Sequence, residues 1–155
     1  MKPVRVYADT SVFGGVYDDE FKQPSLMFFE QARSGQFILV TSAVVQDEME
    51  AAPAVVRDLF DEMLSFCEVA DITESTLELR DAYLQAGIVT PKYSDDALHV
   101  ALATVAGCPL IVSWNFRHIV HFQKIPLYNA INMLKGYQQI AIFSPREVIW
   151  YEEEV

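Results

Sequence analysis

Apolar residues in this chain fall into short runs separated by longer amphipathic stretches, and that alternation predicts strands interleaved with helices. Val4-Arg5-Val6-Tyr7-Ala8, Phe37-Ile38-Leu39-Val40-Thr41 and the run from Pro109 to Ser113 are rich in β-branched and aromatic residues, and too short to be helices. Cys67-Glu68-Val69-Ala70 reads as a shorter strand, and a further one is expected near 139–143. Helices are expected near 24–34, 43–51, 53–65, 74–86, 93–106 and 126–135. Gly35, Gly87, Gly107 and Gly136 end four of them, as glycine suits a left-handed stop. Ser42, Thr73 and Ser94 are placed as N-caps, and Pro53 suits a first helical turn. The stretch holding Gly14, Gly15, Asp18, Asp19 and Glu20 reads as a turn. Strands alternating with helices imply right-handed crossovers, hence an α/β fold with three α/β/α layers and a mainly parallel central sheet. The whole chain, 1–155, is expected to form a single domain.

Within the helix of 93–106, Ala97, Leu98, Ala101, Leu102 and Val105 recur at three- and four-residue spacing, which predicts one core-facing stripe. Asp95, Asp96 and His99 lie within one turn of each other, so one aspartate shares a side with the histidine. Near 24–34, Leu26, Met27, Phe28 and Phe29 make a helix apolar on most sides; it needs cover beyond one core face, which suits a homodimer or a protein partner.

Composition narrows the function classes. Hydrophobic residues make up 52% of the chain, so disorder is not expected. No apolar stretch approaches the ~18 residues that crossing a membrane requires, and Cys67 and Cys108, far apart in apolar surroundings, fit free thiols in the cytoplasm. With 22 acidic against 11 basic residues the formal net charge is −11, the reverse of the basic footprint of most nucleic-acid binders. No Cys/His spacing suits structural zinc, no Gly-x-Ser-x-Gly elbow is present, and Gly14-Gly15 is no phosphate-binding loop.

The acidic residues carry the candidate chemistry. Asp9 ends the first strand, Glu48 lies in the helix after the second, Asp95 and Asp96 open the helix of 93–106, and Asn115 follows the fourth strand. If the strands are parallel, all these positions lie at one edge of the sheet, where open α/β folds bind ligands. Several carboxylates gathered there call for a hard, oxygen-preferring dication. Singly, the residues also have plain roles: Asp9 as a turn former, Glu48 as a solvated helix residue, and Asp95 and Asp96 as complements of a helix dipole.

In order along the chain, four motifs resemble a PIN domain: Tyr7-Ala8-Asp9-Thr10-Ser11; Thr41-Ser42 with Glu48 beyond; Asp95-Asp96-Ala97-Leu98-His99-Val100-Ala101-Leu102-Ala103; and Leu110-Ile111-Val112-Ser113-Trp114-Asn115-Phe116-Arg117-His118. Within that family the chain is similar to the small prokaryotic VapC-type toxins. The resemblance implies Mg²⁺- or Mn²⁺-dependent hydrolysis of RNA phosphodiesters, an antitoxin protein as partner, and a homodimer. Asp9, Glu48 and Asp96 match the family's first three acidic positions, with Asp95 a competitor for the third and Ser11 a small polar neighbour of the first. Where relatives carry a fourth acid this chain has Asn115, or His118 three residues on.

On that footing Asp9 and Asp96 are expected to hold the metal directly, and Glu48 to bind it through water or orient the attacking water. Asn115 and Ser11 would position water, with Ser113 and Asp95 beside substrate or metal ligands. Trp114, Phe116 and Tyr17 stand near the expected rim, where aromatics stack on unpaired bases or simply pack. His99 is expected to be a packed or hydrogen-bonded histidine. A catalytically silent binding module of the same fold is the alternative. A haloacid-type phosphatase would need an aspartate where Ser11 stands.

Overall fold

The computed structural model describes residues 2–151. The strands β1 (Val4–Ala8), β2 (Phe37–Ser42), β3 (Cys67–Ala70), β4 (Leu110–Val112) and β5 (Ala141–Phe143) form one sheet in the order β3-β2-β1-β4-β5, with every neighbouring pair parallel. Val6, Tyr7 and Ala8 in β1, and Leu39 to Ser42 in β2, are buried, as expected of parallel strands covered on both faces. From β1 the chain winds first towards β2 and β3, then crosses back to β4 and β5. The crevice between the carboxyl ends of β1 and β4 is therefore a topological switch point, the place where doubly wound sheets hold ligands.

The helices are α1 (Thr10–Gly14), α2 (Lys22–Arg33), α3 (Ala43–Glu48), α4 (Ala54–Met63), α5 (Glu74–Gln85), α6 (Ser94–Val105), α7 (Ile125–Leu134) and α8 (Pro145–Val148). One layer groups α1 with α4 and α2 with α8; the other groups α5 with α6 and α7. Phe13, Phe28, Phe29, Phe37 and Phe60 interlock at centroid distances of 4.8–5.3 Å in the first layer. Each such ring, fully buried, contributes about 1.5–3 kcal/mol. Gly35, Gly87, Gly107 and Gly136 all adopt positive φ after their helices.

Several expectations change at this level. The Gly14-Gly15 segment is not an open turn. Asp9, in extended conformation, opens α1, which continues as a 3₁₀ turn at Gly15–Tyr17. Gly15 has helical φ, so its backbone conformation makes no demand for glycine; a Cβ there would collide with the side chains of Ser25 and Trp114. Ser42 and Thr73 do cap their helices, Thr73 in a reciprocal box with Thr76. Ser94 does not: a 3₁₀ turn at Pro91–Tyr93 runs straight into α6, leaving Ser94 as its first residue. Pro53 sits one place before α4. The stripe expected on α6 is instead a full circumference, with Ala97 to Thr104 all buried, because α6 packs against both α5 and β4. In α2, Phe28 and Phe29 both enter the core, leaving Leu26 exposed and Met27 half-buried.

Cys67 and Cys108 are free thiols, and burial pushes them up to about 12 and about 11. Among the described residues no helix is long and apolar enough to cross a membrane.

Candidate functional site

Strand alternation places Tyr7 and Asp9 on the same side of β1, over α6. Asp9 is 3% exposed. Its backbone N–H extends the β1–β4 ladder by donating to the Val112 carbonyl at 3.3 Å. Its carboxylate is held by two serine hydroxyls: Ser11 Oγ donates to Oδ1 at 2.5 Å, and Ser113 Oγ to Oδ2 at 2.6 Å. Both serines are themselves fixed, since Ser11 Oγ accepts from the Trp114 N–H at 2.8 Å and Ser113 Oγ from the Asn115 N–H at 2.9 Å. Burial nevertheless pushes the Asp9 carboxyl above its ordinary pKa. His99 and the two hydroxyls pull it back only in part, and the charge of Asp96 adds to the rise.

Glu48, at the end of α3, is in the opposite condition. Its Oε1 lies 2.8 Å from His99 Nε2; His99 Nδ1 lies 2.8 Å from the Tyr7 hydroxyl, which is 2.8 Å from Ser42 Oγ. The chain Ser42–Tyr7–His99–Glu48 thus links β2, β1, α6 and α3, running through three buried polar groups to the partly exposed Glu48. Burial opposes ionisation of Glu48, but the hydrogen bond and charge of His99 outweigh it and hold the carboxyl below its usual pKa. Burial likewise pulls His99 down, and the bond to Glu48 with the charges of Asp9, Glu48 and Asp96 raises it above the ordinary imidazole value. His99 is therefore the point at which the fields of the three carboxylates meet.

Asp96, in the first turn of α6, is half-buried, and its Oδ2 lies 2.7 Å from His118 Nδ1. Asp95 is exposed and makes no side-chain hydrogen bond among the described residues, so Asp96 is the aspartate of the pair that faces the crevice. Asn115 Oδ1 accepts from the backbone N–H groups of Arg117 and His118 at 3.2 and 2.9 Å, which commits that oxygen to shaping the loop after β4.

Asp9, Ser11 and Ser113 are thus joined directly, while Glu48 and Asp96 are each joined to a histidine. Among the described residues no group of three or more His, Cys, Asp or Glu side chains is gathered closely enough to hold a metal ion as it stands. The donors are nonetheless of the right kind for a hard dication: anionic oxygens, one on a buried carboxylate contacted only by hydroxyls. Thr10 keeps a buried hydroxyl with no partner at hydrogen-bond geometry among the described residues. An orphan of this kind is commonly satisfied by water.

Sequence reading gave Ser42 only the role of a helix cap, and Tyr7 none beyond its place in the first motif. The available signal was a tyrosine inside a buried strand, whose hydroxyl must find a partner. Trp114, expected near the rim, is 6% exposed: Phe21 stacks on it at 4.2 Å, Arg146 covers it at 5.2 Å, and its Nε1–H donates to Ser25 Oγ at 2.8 Å. Phe116 and Tyr17 are exposed.

No family model and no curated protein matches this sequence. Among solved structures, the chain is similar to one in VapBC2 from Rickettsia felis, whose crystal structure was determined bound to a DNA fragment from its promoter. The alignment covers 90% of this chain and 97% of that one, with a TM-score of 0.57 at 15% sequence identity. The parallel five-stranded α/β architecture, with its crevice at the carboxyl end of β1, is therefore a fold shared with a chain of that complex.

Proposed function

We propose that this protein is a Mg²⁺- or Mn²⁺-dependent ribonuclease, the toxin partner of an antitoxin protein. The observation that carries this reading is the Asp9 carboxylate: buried at the switch point, raised in pKa, and accompanied at His99 by the fields of Glu48 and Asp96. A carboxylate in that condition is under-compensated, and a divalent cation is the partner that would restore its ordinary acidity. Likeness to a VapBC2 chain supports the toxin–antitoxin context, as does an acidic chain suited to a basic partner.

Asp9 and Asp96 would hold the ion, with Glu48 reaching it through water. When bound, the metal supplies a water of lowered pKa and neutralises charge on the phosphoryl oxygens. The chain's own residues do the rest. Ser11 and Ser113 fix both oxygens of Asp9 in one orientation. Glu48, held below the ordinary carboxylate range, stays ionised and orients a water by accepting its hydrogen bond. His118 fixes the rotamer of Asp96 through Oδ2.

The test is cleavage of single-stranded RNA with Mn²⁺ by the parent and by Asp9→Asn. Loss of cleavage in the variant is expected; equal rates would overturn the assignment. A silent binding module is the second reading, favoured by the pairing of Glu48 and Asp96 with histidines. It predicts no Mn²⁺-induced rise in Tm, whereas the enzyme predicts a rise that Asp96→Ala abolishes.

A further inference from the structure

In a chain of net charge −11, the placement of each cation carries information. Arg5, Arg33 and Arg80 are engaged by Glu68, Glu62 and Asp81. Lys124 donates to the Ile88 carbonyl, and Arg146 to that of Glu20. Lys22, Arg57 and Lys135 lie exposed without such partners among the described residues; Lys92 and Arg117 share that condition and are set apart by where they sit. Both are exposed, and among the described residues neither side chain has an ion-pair or hydrogen-bond partner. They come from distant segments, Lys92 from the 3₁₀ turn before α6 and Arg117 from the loop after β4, yet the fold brings both onto one aromatic ring. Lys92 Nζ lies 5.6 Å, and Arg117 Cζ 5.1 Å, from the centroid of Tyr93. The Tyr93 ring packs on His118 at 4.1 Å, and His118 holds Asp96 at 2.7 Å.

Two cations held on one ring with no ion-pair partner of their own are left with only the modest cation–π attraction of an exposed site. An anion at this edge of the ring would supply the counter-charge that both lack. The guanidinium adds a planar donor fork matched to phosphate. This pair also stands one side chain away from the residue that orients Asp96, so an anion bound there lies at the border of the crevice and not on a remote surface. We infer that Lys92 and Arg117, gathered on Tyr93, form a phosphate-binding subsite that grips the backbone of single-stranded RNA beside the carboxylates. The inference rests on the ribonuclease reading for its choice of anion. It also accounts for how a strongly acidic protein holds a polyanion: through a local cationic edge, with the rest of the surface repelling it.

The experiment is fluorescence anisotropy of a labelled single-stranded RNA against the full-length protein in EDTA across a salt series, run beside the Mn²⁺ cleavage assay. Each phosphate neutralised on a single strand contributes about −0.7 to the slope of log K against log salt. Lys92→Gln with Arg117→Gln is therefore expected to flatten the slope by about 1.4 and weaken binding on the order of tenfold at low salt. Arg57→Gln with Lys135→Gln, exposed positions outside the Tyr93 cluster, should leave the slope unchanged. An unchanged slope in the first pair, an equal change in the second, or no RNA binding by the parent overturns the subsite. So does an equal loss towards poly-glutamate, which would mark a general anion patch. Absence of Mn²⁺-dependent cleavage, with RNA binding and the slope change intact, overturns the nuclease reading and leaves the subsite standing.

Discussion

Two carboxylates at the same sheet edge, Asp9 and Glu48, are treated oppositely by the fold. Asp9 is nearly sealed off, receives hydrogen bonds from neutral hydroxyls, and is raised in pKa. Glu48 is partly solvated, receives an imidazole, and is lowered. The difference shows that burial alone does not set acidity: the charge of His99 reaches both carboxylates, but Glu48 is less deeply buried and also takes the imidazole's hydrogen bond. A neutral hydroxyl donates one hydrogen bond and no compensating charge. The imidazole brings a proton that the fields of three carboxylates keep in place. On the proposed reading, Asp9 is the carboxylate that an added cation would compensate, whereas Glu48 is already met by His99.

The comparison breaks most sharply in activity. Asp9→Asn should reduce RNA cleavage by about 100-fold or more, as removal of a metal-holding group does. In metal-free buffer the same change should raise Tm, because an uncompensated buried charge is gone; differential scanning fluorimetry reads this directly. A lower Tm would mean that Asp9 is adequately compensated without metal.

Ser113→Ala removes a 2.6 Å hydroxyl from Asp9 Oδ2. Hydrogen bonds to charged groups are worth about 1.5–3 kcal/mol, so urea unfolding should show a loss of that order. His99→Gln, on the Glu48 side, should cost less, about 1 kcal/mol, since Glu48 retains solvent and Tyr7 retains Ser42. In carboxyl ¹³C NMR the Glu48 pKa should then move upward; an unmoved resonance would show that His99 is not what holds it down.

The smallest effect is the pH dependence of that last difference. His99 is raised in the folded state, so its contribution is complete below the ordinary imidazole value, about 6.5, and is lost as pH climbs through the raised one. Glu48 is lowered, so its contribution is complete above the ordinary carboxylate value and is lost as pH falls through the lowered one. The stability gap between parent and His99→Gln should therefore be widest in mildly acidic buffer and narrow in both directions. Asp9 acts with the opposite sign: its burden is carried at neutral pH and eases as pH drops towards its raised pKa.

The strands and principal helices were legible because their signals are local: β-branched runs, amphipathic spacing, and glycines at four helix ends. The segment after Asp9 was misread because Gly14-Gly15 resembles a flexible turn, whereas Gly15 is required by a side-chain approach from Trp114 and Ser25 that no local pattern records. The same holds for α6. Its spacing suggested one apolar stripe, but alanines let neighbours close on every side, and the count of neighbours is a property of the fold. At the site, the residues worth attention were recognisable as carboxylates after strands. Which aspartate of the 95–96 pair turns inward depends on His118, 22 residues away, and the tie between Tyr7 and Ser42 depends on the pairing of two strands. Sequence marks candidates; their partners are chosen in three dimensions.

The alignment of β1 on β4 matches Val6 with Leu110, Tyr7 with Ile111 and Ala8 with Val112. Side chains in a strand point alternately up and down, so inserting a single residue early in β1 would rotate Tyr7 and Asp9 together to the far side of the sheet. The polypeptide could still collapse around its phenylalanines, but Asp9 and the phenol that steadies His99 would leave the crevice at the same moment. Their separation of two positions makes them stand or fall as one unit.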